Sequence, residues 1–288
     1  MVEELRARDV AFYPAYVSRA HERTQVLREL LGTEKVCGQR IVHIKYTQRG
    51  SSLARGLDVA SGASSGSIPW RLVAEQSGGG LIMDMGCHVL DRLDYLFGPL
   101  ENVTSTVSRQ GLAVPPSGSL VENHVVMSAT IGECNWSAVP SAGAVVECVW
   151  DFSPLGSRDR NSKESSPSED VDELVITGPG GALRMAAMGA GRPIEVLDAE
   201  GRTVRTLRFD APAHAAQPLI QAIVDELAGR REDRADGEAK RRPSARSPAR
   251  AENAIRTAEV LDAILSQYYR GRHDEFWSRP KTWSFATV

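Results

Sequence analysis

The chain has 288 residues, of which 42% are hydrophobic and 25% are charged, as in an ordinary soluble globular protein. Thirty-four lysines and arginines against thirty-seven aspartates and glutamates leave a formal charge of -3, too small to attract nucleic acid or an anionic membrane. The four cysteines form no C-x-x-C pair, which argues against a disulfide scaffold or a zinc ribbon. No stretch is apolar for long enough to span a membrane, and we expect a soluble, cytoplasmic protein.

The first part of the chain predicts two helices and one strand. Apolar residues at Val2, Leu5 and Ala7 indicate a short helix, and the apolar run at 10–13 predicts a strand directly after it. A helix that leads into a buried strand is typical of the last step of an α/β unit. A second helix is predicted over 20–31.

The middle of the chain consists mainly of predicted strands. Alternating side chains over 41–46 predict a half-buried strand. Further β-rich segments follow with turns between them at 103–107, 124–131, 135–139, 144–150, 173–177, 183–188, 194–198 and 203–209. Successive strands without intervening helices imply an antiparallel sheet. Two amphipathic helices are predicted over 214–228 and 248–269, and mobile polar loops over 154–170 and 229–249.

These elements predict an α+β fold: a large, mostly antiparallel sheet with helices packed on one face, preceded by a remnant of an α/β domain.

The most informative segment is a helix predicted over 78–97, which three glycines precede. Asp84 and His88 lie four positions apart and therefore share one face of that helix. A carboxylate one turn before an imidazole can fix its tautomer and raise its basicity. The glycines would let backbone or a ligand approach the helix start closely. An ordinary surface or capping Asp–His pair has the same spacing, and spacing alone favours that structural interpretation.

Several motifs, in order along the chain, resemble the signature of the glucose–fructose oxidoreductase / inositol dehydrogenase (Gfo/Idh/MocA) family. The matching motifs are Trp70-Arg71, the glycines at 78–80, D-M-G-C-H at 84–88 and Y-L-F-G-P at 95–99. The segment 10–19 resembles the strand that enters the family's second domain, and 247–283 resembles its closing helix. The resemblance covers essentially the whole chain.

The resemblance implies an NAD(P)-dependent oxidoreductase that acts on the hydroxyl or carbonyl group of a sugar, cyclitol or related diol. It implies that His88 is the general acid/base and that Asp84 orients it and contacts substrate hydroxyls. The positions that match the family's sugar pocket are Tyr16, Arg19, Trp70 and Arg71.

Two family motifs have no match in the sequence. No G-x-G-x-x-G is present, and Glu34-Lys35-Val36, a near-match to the catalytic E-K-P, lies at the wrong point in the order. The resemblance therefore divides the chain into 1–16, interpreted as the last helix and strand of a Rossmann domain, and 17–288, a substrate-binding and oligomerisation domain. We expect that this chain does not bind NAD or NADP tightly.

Two functions remain open at this stage. One is the oxidoreductase, inactive without its nucleotide-binding domain. The other is a non-catalytic descendant that keeps the sheet for sugar binding or dimerisation. In either case the resemblance implies a homo-oligomer assembled through the open face of the sheet.

Three further patterns are not expected to carry function. The G-x-S-x-G at 62–66 lacks the flanking strand and helix of a nucleophile elbow. Cys87 points about 100° away from His88 on a helix, and is expected to pack rather than form a dyad. Asp84, His88 and Asp91 lack a further ligand, and no metal is expected.

Overall fold

The computed structural model describes residues 2–50, 77, 79–109, 121–152, 171–235 and 247–269. The helices in these ranges are α1 (Val2–Ala7), α2 (Glu22–Gly32), α3 (Cys87–Phe97), α4 (Gln217–Ala235) and α5 (Ala251–Tyr269). A 3₁₀ turn covers Val17–Ala20, and a π-helical turn at Ile82–Gly86 leads into α3. The strands are β1 (His43–Arg49), β2 (Leu100–Ser108), β3 (His124–Ile131), β4 (Val145–Asp151), β5 (Val171–Gly178), β6 (Gly181–Met185), β7 (Ile194–Leu197) and β8 (Thr203–Leu207).

The eight strands form one sheet in the order β2-β3-β4-β1-β5-β6-β7-β8. Each neighbouring pair is antiparallel except β1 and β4, which run parallel. Strands that follow one another along the chain are mostly neighbours because short turns connect them, whereas β1 enters the middle of the sheet from far upstream. The predicted large, mostly antiparallel sheet is confirmed.

The sheet buries one face against the helices. In β1 the side chains of Ile44, Tyr46 and Gln48 are buried, and those between them are exposed or half-buried, as the alternation of a strand requires. The helix α5 lies against β2, where the Ser105 hydroxyl donates to the carbonyl of Ile264 at 2.8 Å. The helix α2 adds its own leucines to the same core: Leu27, Leu30 and Leu31. The predicted packing of helices on one face is confirmed.

Two of the predicted strands are absent from the part of the chain that the structure describes. The segment 10–13 is not in a strand, because no described strand lies beside it to complete a ladder. The segment 135–139 instead bonds to the end of α3: the Trp136 indole donates to the Asp94 carbonyl, and the Ala138 amide donates to the Leu96 carbonyl. Hydrogen bonds to a helix end thus replace the predicted sheet bonds.

The predicted loops have different outcomes. The helix α4 continues to Ala235, into the stretch over 229–249 that was expected to be a mobile loop. Arginine, glutamate and alanine favour a helix, which explains the extension. The predicted loop at 154–170, the G-x-S-x-G at 62–66 and the Trp70-Arg71 motif lie outside the described residues.

Within the described part of the chain, no helix combines the length and the apolar character needed to cross a membrane.

Candidate functional site

The predicted helix over 78–97 is not regular. Asp84 lies within the π-helical turn at Ile82–Gly86, and His88 lies in the first turn of α3. Single π turns inside helices widen the backbone locally and occur frequently at functional sites. Asp84 and His88 remain close enough for the aspartate charge to raise the pKa of the imidazole, as the sequence spacing indicated.

The imidazole of His88 is partly buried beside Tyr16. The two rings meet edge to face, with centroids 6.1 Å apart and planes at 87°. Burial lowers the pKa of His88, the Asp84 charge opposes this shift, and the nearby Arg92 charge adds to it. The imidazole is therefore neutral at neutral pH and can accept a proton.

The ring of Tyr16 packs against His88, and its hydroxyl interacts with the Thr257 side chain. The Tyr16 side chain is half-buried, and burial raises the pKa of Tyr16 to about 12. The hydroxyl therefore stays protonated and can donate a hydrogen bond. Of the six predicted site residues, Tyr16, Asp84 and His88 lie together.

Arg19 occupies a different environment from the other predicted pocket residues. Its side chain is 3% exposed, and its guanidinium donates to the Asp91 carboxylate at 2.8–3.0 Å and to Asp94 at 3.2 Å. The guanidinium also lies over the Tyr95 ring, 4.6 Å from its centroid. The guanidinium of Arg256 also donates to the Asp94 carboxylate, at 2.7 Å. Arg19 joins the 3₁₀ turn to α3 through this ion cluster, and substrate contact by Arg19 stays a prediction.

Other protein atoms already occupy the space beside the glycines that precede the helix. The Gly80 amide donates to both carboxylate oxygens of Glu122 at 3.0 Å, and a Cβ on Gly80 would lie 2.5 Å from the Glu122 carbonyl oxygen. A Cβ on Gly79 would lie 2.5 Å from the Met83 side chain. The close approach that the glycines were expected to allow is made by Glu122, and no local pattern around that residue indicates it.

Arg92 is a second residue that the sequence analysis did not select. It lies one helical turn after His88, on the same face of α3, and is 5% exposed. Its charge interacts with Asp172 and Tyr46, and its Nε atom has no hydrogen-bond partner among the described residues. The four-residue spacing from His88 is the signal that could have identified it.

Two other interpretations can be compared with the structure. Burial raises the pKa of the Cys87 thiol to about 11, which disfavours the thiolate and agrees with a packing role. Among the described side chains, no group of three or more histidines, cysteines, aspartates or glutamates is arranged to hold a metal ion.

Residues 27–137 match the sequence profile described as the GFO/IDH/MocA C-terminal domain, and this match includes Asp84 and His88. The match confirms the predicted resemblance to the Gfo/Idh/MocA family over this segment.

Known proteins resemble the chain beyond this segment. "Oxidoreductase P35" from Formosa agariphila is 23% identical over 227 residues, which cover 78% of this chain and 57% of that protein. An oxidoreductase from Agrobacterium radiobacter, solved with NAD+, L-tartaric acid and magnesium, is similar with a TM-score of 0.56 and 18% identity. Aldose–aldose oxidoreductase from Caulobacter crescentus, solved with glycerol, gives a TM-score of 0.60 and 16% identity.

These two structures are similar to 94% of this chain, which spans 66% and 65% of their respective lengths. At such identities the similarity establishes the fold.

Proposed function

We propose that this chain supplies the substrate-binding part of an NAD(P)-dependent oxidoreductase that acts on the hydroxyl or carbonyl group of a sugar, cyclitol or related diol. One observation carries the proposal: a neutral, partly buried His88 lies against the Tyr16 ring and close to the charge of Asp84, in a segment that matches this family. Levoglucosan dehydrogenase, solved with NADH and levoglucosan, shares the fold with a TM-score of 0.57.

The residues of this chain perform the proton transfer of the reaction. His88 accepts the hydroxyl proton during oxidation and returns it during reduction, while Asp84 stabilises the imidazolium that forms between these steps. The protonated Tyr16 phenol donates a hydrogen bond to a substrate oxygen beside the imidazole. A positioned acid/base of this kind contributes about 10²–10⁴-fold to a rate.

A nicotinamide nucleotide would supply the hydride acceptor when bound. The glycine turn that precedes α3 is occupied by Glu122 and Met83, and no G-x-G-x-x-G occurs in the sequence. We expect the 288-residue chain to show no saturable binding of NADH or NADPH below about 1 mM, a free energy weaker than about -4 kcal/mol. Fluorescence titration measures this, and a micromolar dissociation constant contradicts it.

Polyol binding at His88 tests the proposed site. We expect a hexose, a cyclitol or an anhydro-sugar to bind with a dissociation constant of about 1 mM and to shift the His88 ring signals in NMR spectra. His88→Gln should abolish binding, whereas His214→Gln, which changes an exposed histidine before α4, should preserve it. Absence of any shift across the three classes contradicts the proposal.

A non-catalytic sugar-binding protein is the second candidate function, favoured by the absence of both G-x-G-x-x-G and the catalytic E-K-P from these 288 residues. An assay of the protein isolated from its native cells separates the two. Formation of NADH or NADPH from a bound polyol supports the oxidoreductase. Saturable polyol binding without any turnover supports the non-catalytic protein.

We further propose that the chain forms a homo-oligomer through the open face of the sheet. That face carries Val126 and Val145, 41% and 42% exposed, in rows that continue across neighbouring strands. Polar pairs on the same face, such as Arg184 with Glu195 at 2.7 Å, interrupt the apolar residues. A mixed, extended face of this kind suits an interface between identical subunits.

A further inference from the structure

The carboxylate of Glu122 lies at the entrance to the helix that carries His88. Glu122 is 1% exposed, and both of its carboxylate oxygens accept from the Gly80 amide at 3.0 Å. The hydroxyl of Tyr269, the last residue of α5, donates to the same carboxylate. One buried acid thus joins the glycine turn to the end of another helix.

This contact adjoins the start of the π-helical turn. A Cβ on Gly80 would lie 2.5 Å from the Glu122 carbonyl oxygen and 2.8 Å from its carboxyl carbon, and any side chain at position 80 would displace the turn. The Gly80 carbonyl accepts from the Met83 amide at 3.2 Å, at the start of the turn over Ile82–Gly86. Gly80 is thus tied both to Glu122 and to the start of the turn that carries Asp84.

Burial raises the pKa of Glu122 overall, and the donors around its carboxylate oppose this shift. The amide of Gly80 and the hydroxyl of Tyr269 both donate to the carboxylate, and a backbone hydrogen bond from Ile82 also lowers the pKa of Glu122. A buried acid that is surrounded by donors holds its neighbours in one arrangement, because each donor would be unsatisfied without it.

We propose that Glu122 is a positioning residue, whose contact with Gly80 holds the π-helical turn so that Asp84 acts on His88. The inference rests on the proposed function only in assigning proton transfer to His88. Glu122 lies 42 residues from Gly80 in the sequence. In this proposal it affects His88 only through the shape of the turn.

A double-mutant cycle on the titration of His88 tests this proposal. Glu122→Gln keeps the size of the side chain and removes its charge. We expect it to lower the pKa of His88 by about 0.5 unit in the otherwise unchanged chain, because Asp84 moves away. In an Asp84→Asn background the same substitution should have much less effect, since the interaction that it disturbs is already absent. NMR titration of the histidine signals measures both shifts.

Tyr269→Phe is the matched control, because it removes the other hydrogen bond to the Glu122 carboxylate and leaves the Gly80 contact in place. We expect it to leave the titration of His88 unchanged. Equal shifts in both backgrounds would indicate a direct field from Glu122 and overturn the proposal, as would no shift in either.

If Glu122→Gln does not fold, amide exchange in the unmodified chain decides: protected Gly80 and Ile82 amides support the contact, and rapid exchange at Gly80 overturns it.

Neither readout requires nucleotide or turnover. A failure of the proposed function, seen as absent polyol binding, is therefore distinguishable from a failure of this inference.

Discussion

At the scale of single residues, the chemistry of the site depends on opposing effects on one imidazole. Burial and Arg92 lower the pKa of His88, and Asp84 raises it, with the net result a lowered value. A histidine whose folded pKa lies below its unfolded value gives stability that is present at neutral pH and is lost as the pH falls below about 6.5. The same shift keeps His88 able to accept a proton at neutral pH.

Asp84→Asn should lower the pKa of His88 further, by about 0.5 unit, because it removes the aspartate charge that favours the imidazolium. NMR titration measures the shift. Asp225→Asn, which changes an exposed residue of α4 bonded to Gln221, serves as the control and should leave the titration unaltered. A rise in the pKa of His88 after Asp84→Asn would contradict the assigned electrostatics.

Arg19 gives a second residue-scale prediction. Arg19→Met leaves the carboxylate of Asp91, which is fully buried, without its cation, and we expect a loss of about 3 kcal/mol in the free energy of unfolding at pH 7. Arg202→Met is the matched control: the Arg202 side chain, which pairs with Asp198 at 2.8 Å, is exposed, and we expect a much smaller loss. Urea unfolding measures both, and equal losses contradict the prediction.

The loss caused by Arg19→Met should also depend on pH. Burial raises the pKa of Asp91 to about 6 even though Arg19 opposes the shift. A carboxyl with a raised folded pKa destabilises the fold when ionised, above that pKa, and this cost disappears as the pH falls toward its unfolded value near 4. The difference between Arg19→Met and the unmodified chain should therefore decrease between pH 7 and pH 4.

At the scale of elements, local patterns predicted the strands better than the connections. The strand over 124–131 forms as predicted, because strict alternation and flanking turns define it locally. The segment 135–139 has a similar composition but bonds to the end of α3, a partner about 40 residues upstream. The Gly80–Glu122 contact before the π-helical turn joins residues 42 apart in the sequence, and no local pattern indicates it.

In the candidate site, too, local patterns identify some residues but not the long-range contacts of others. Asp84 and His88 are recognisable from spacing within one helix, and Tyr16 from the family resemblance. The partners of Arg19 lie 72 and 75 residues away, so its burial in an ion cluster could not be read from its own segment.

At the scale of the whole molecule, the proposed assembly through the open face of the sheet can be tested directly. We expect a dimer or larger oligomer in sedimentation experiments, and Val126→Lys with Val145→Lys should shift it toward the monomer by placing unpaired charges in the interface. Ile255→Lys, on the helical layer and 40% exposed, is the control and should leave the assembly unchanged. A monomeric unmodified chain, or equal effects of both changes, contradicts this interface.

The central position of β1 has a consequence for folding. The strand lies between β4 and β5, so both of its neighbours come from residues 145–178, about 100 residues later. β1 can take its place only after those strands are available, which makes the pairing non-local and slow to form. A fragment limited to 27–137, the segment that matches the family profile, would leave both edges of β1 without partners and prone to aggregation. We therefore expect that the segment matching the family profile does not fold independently.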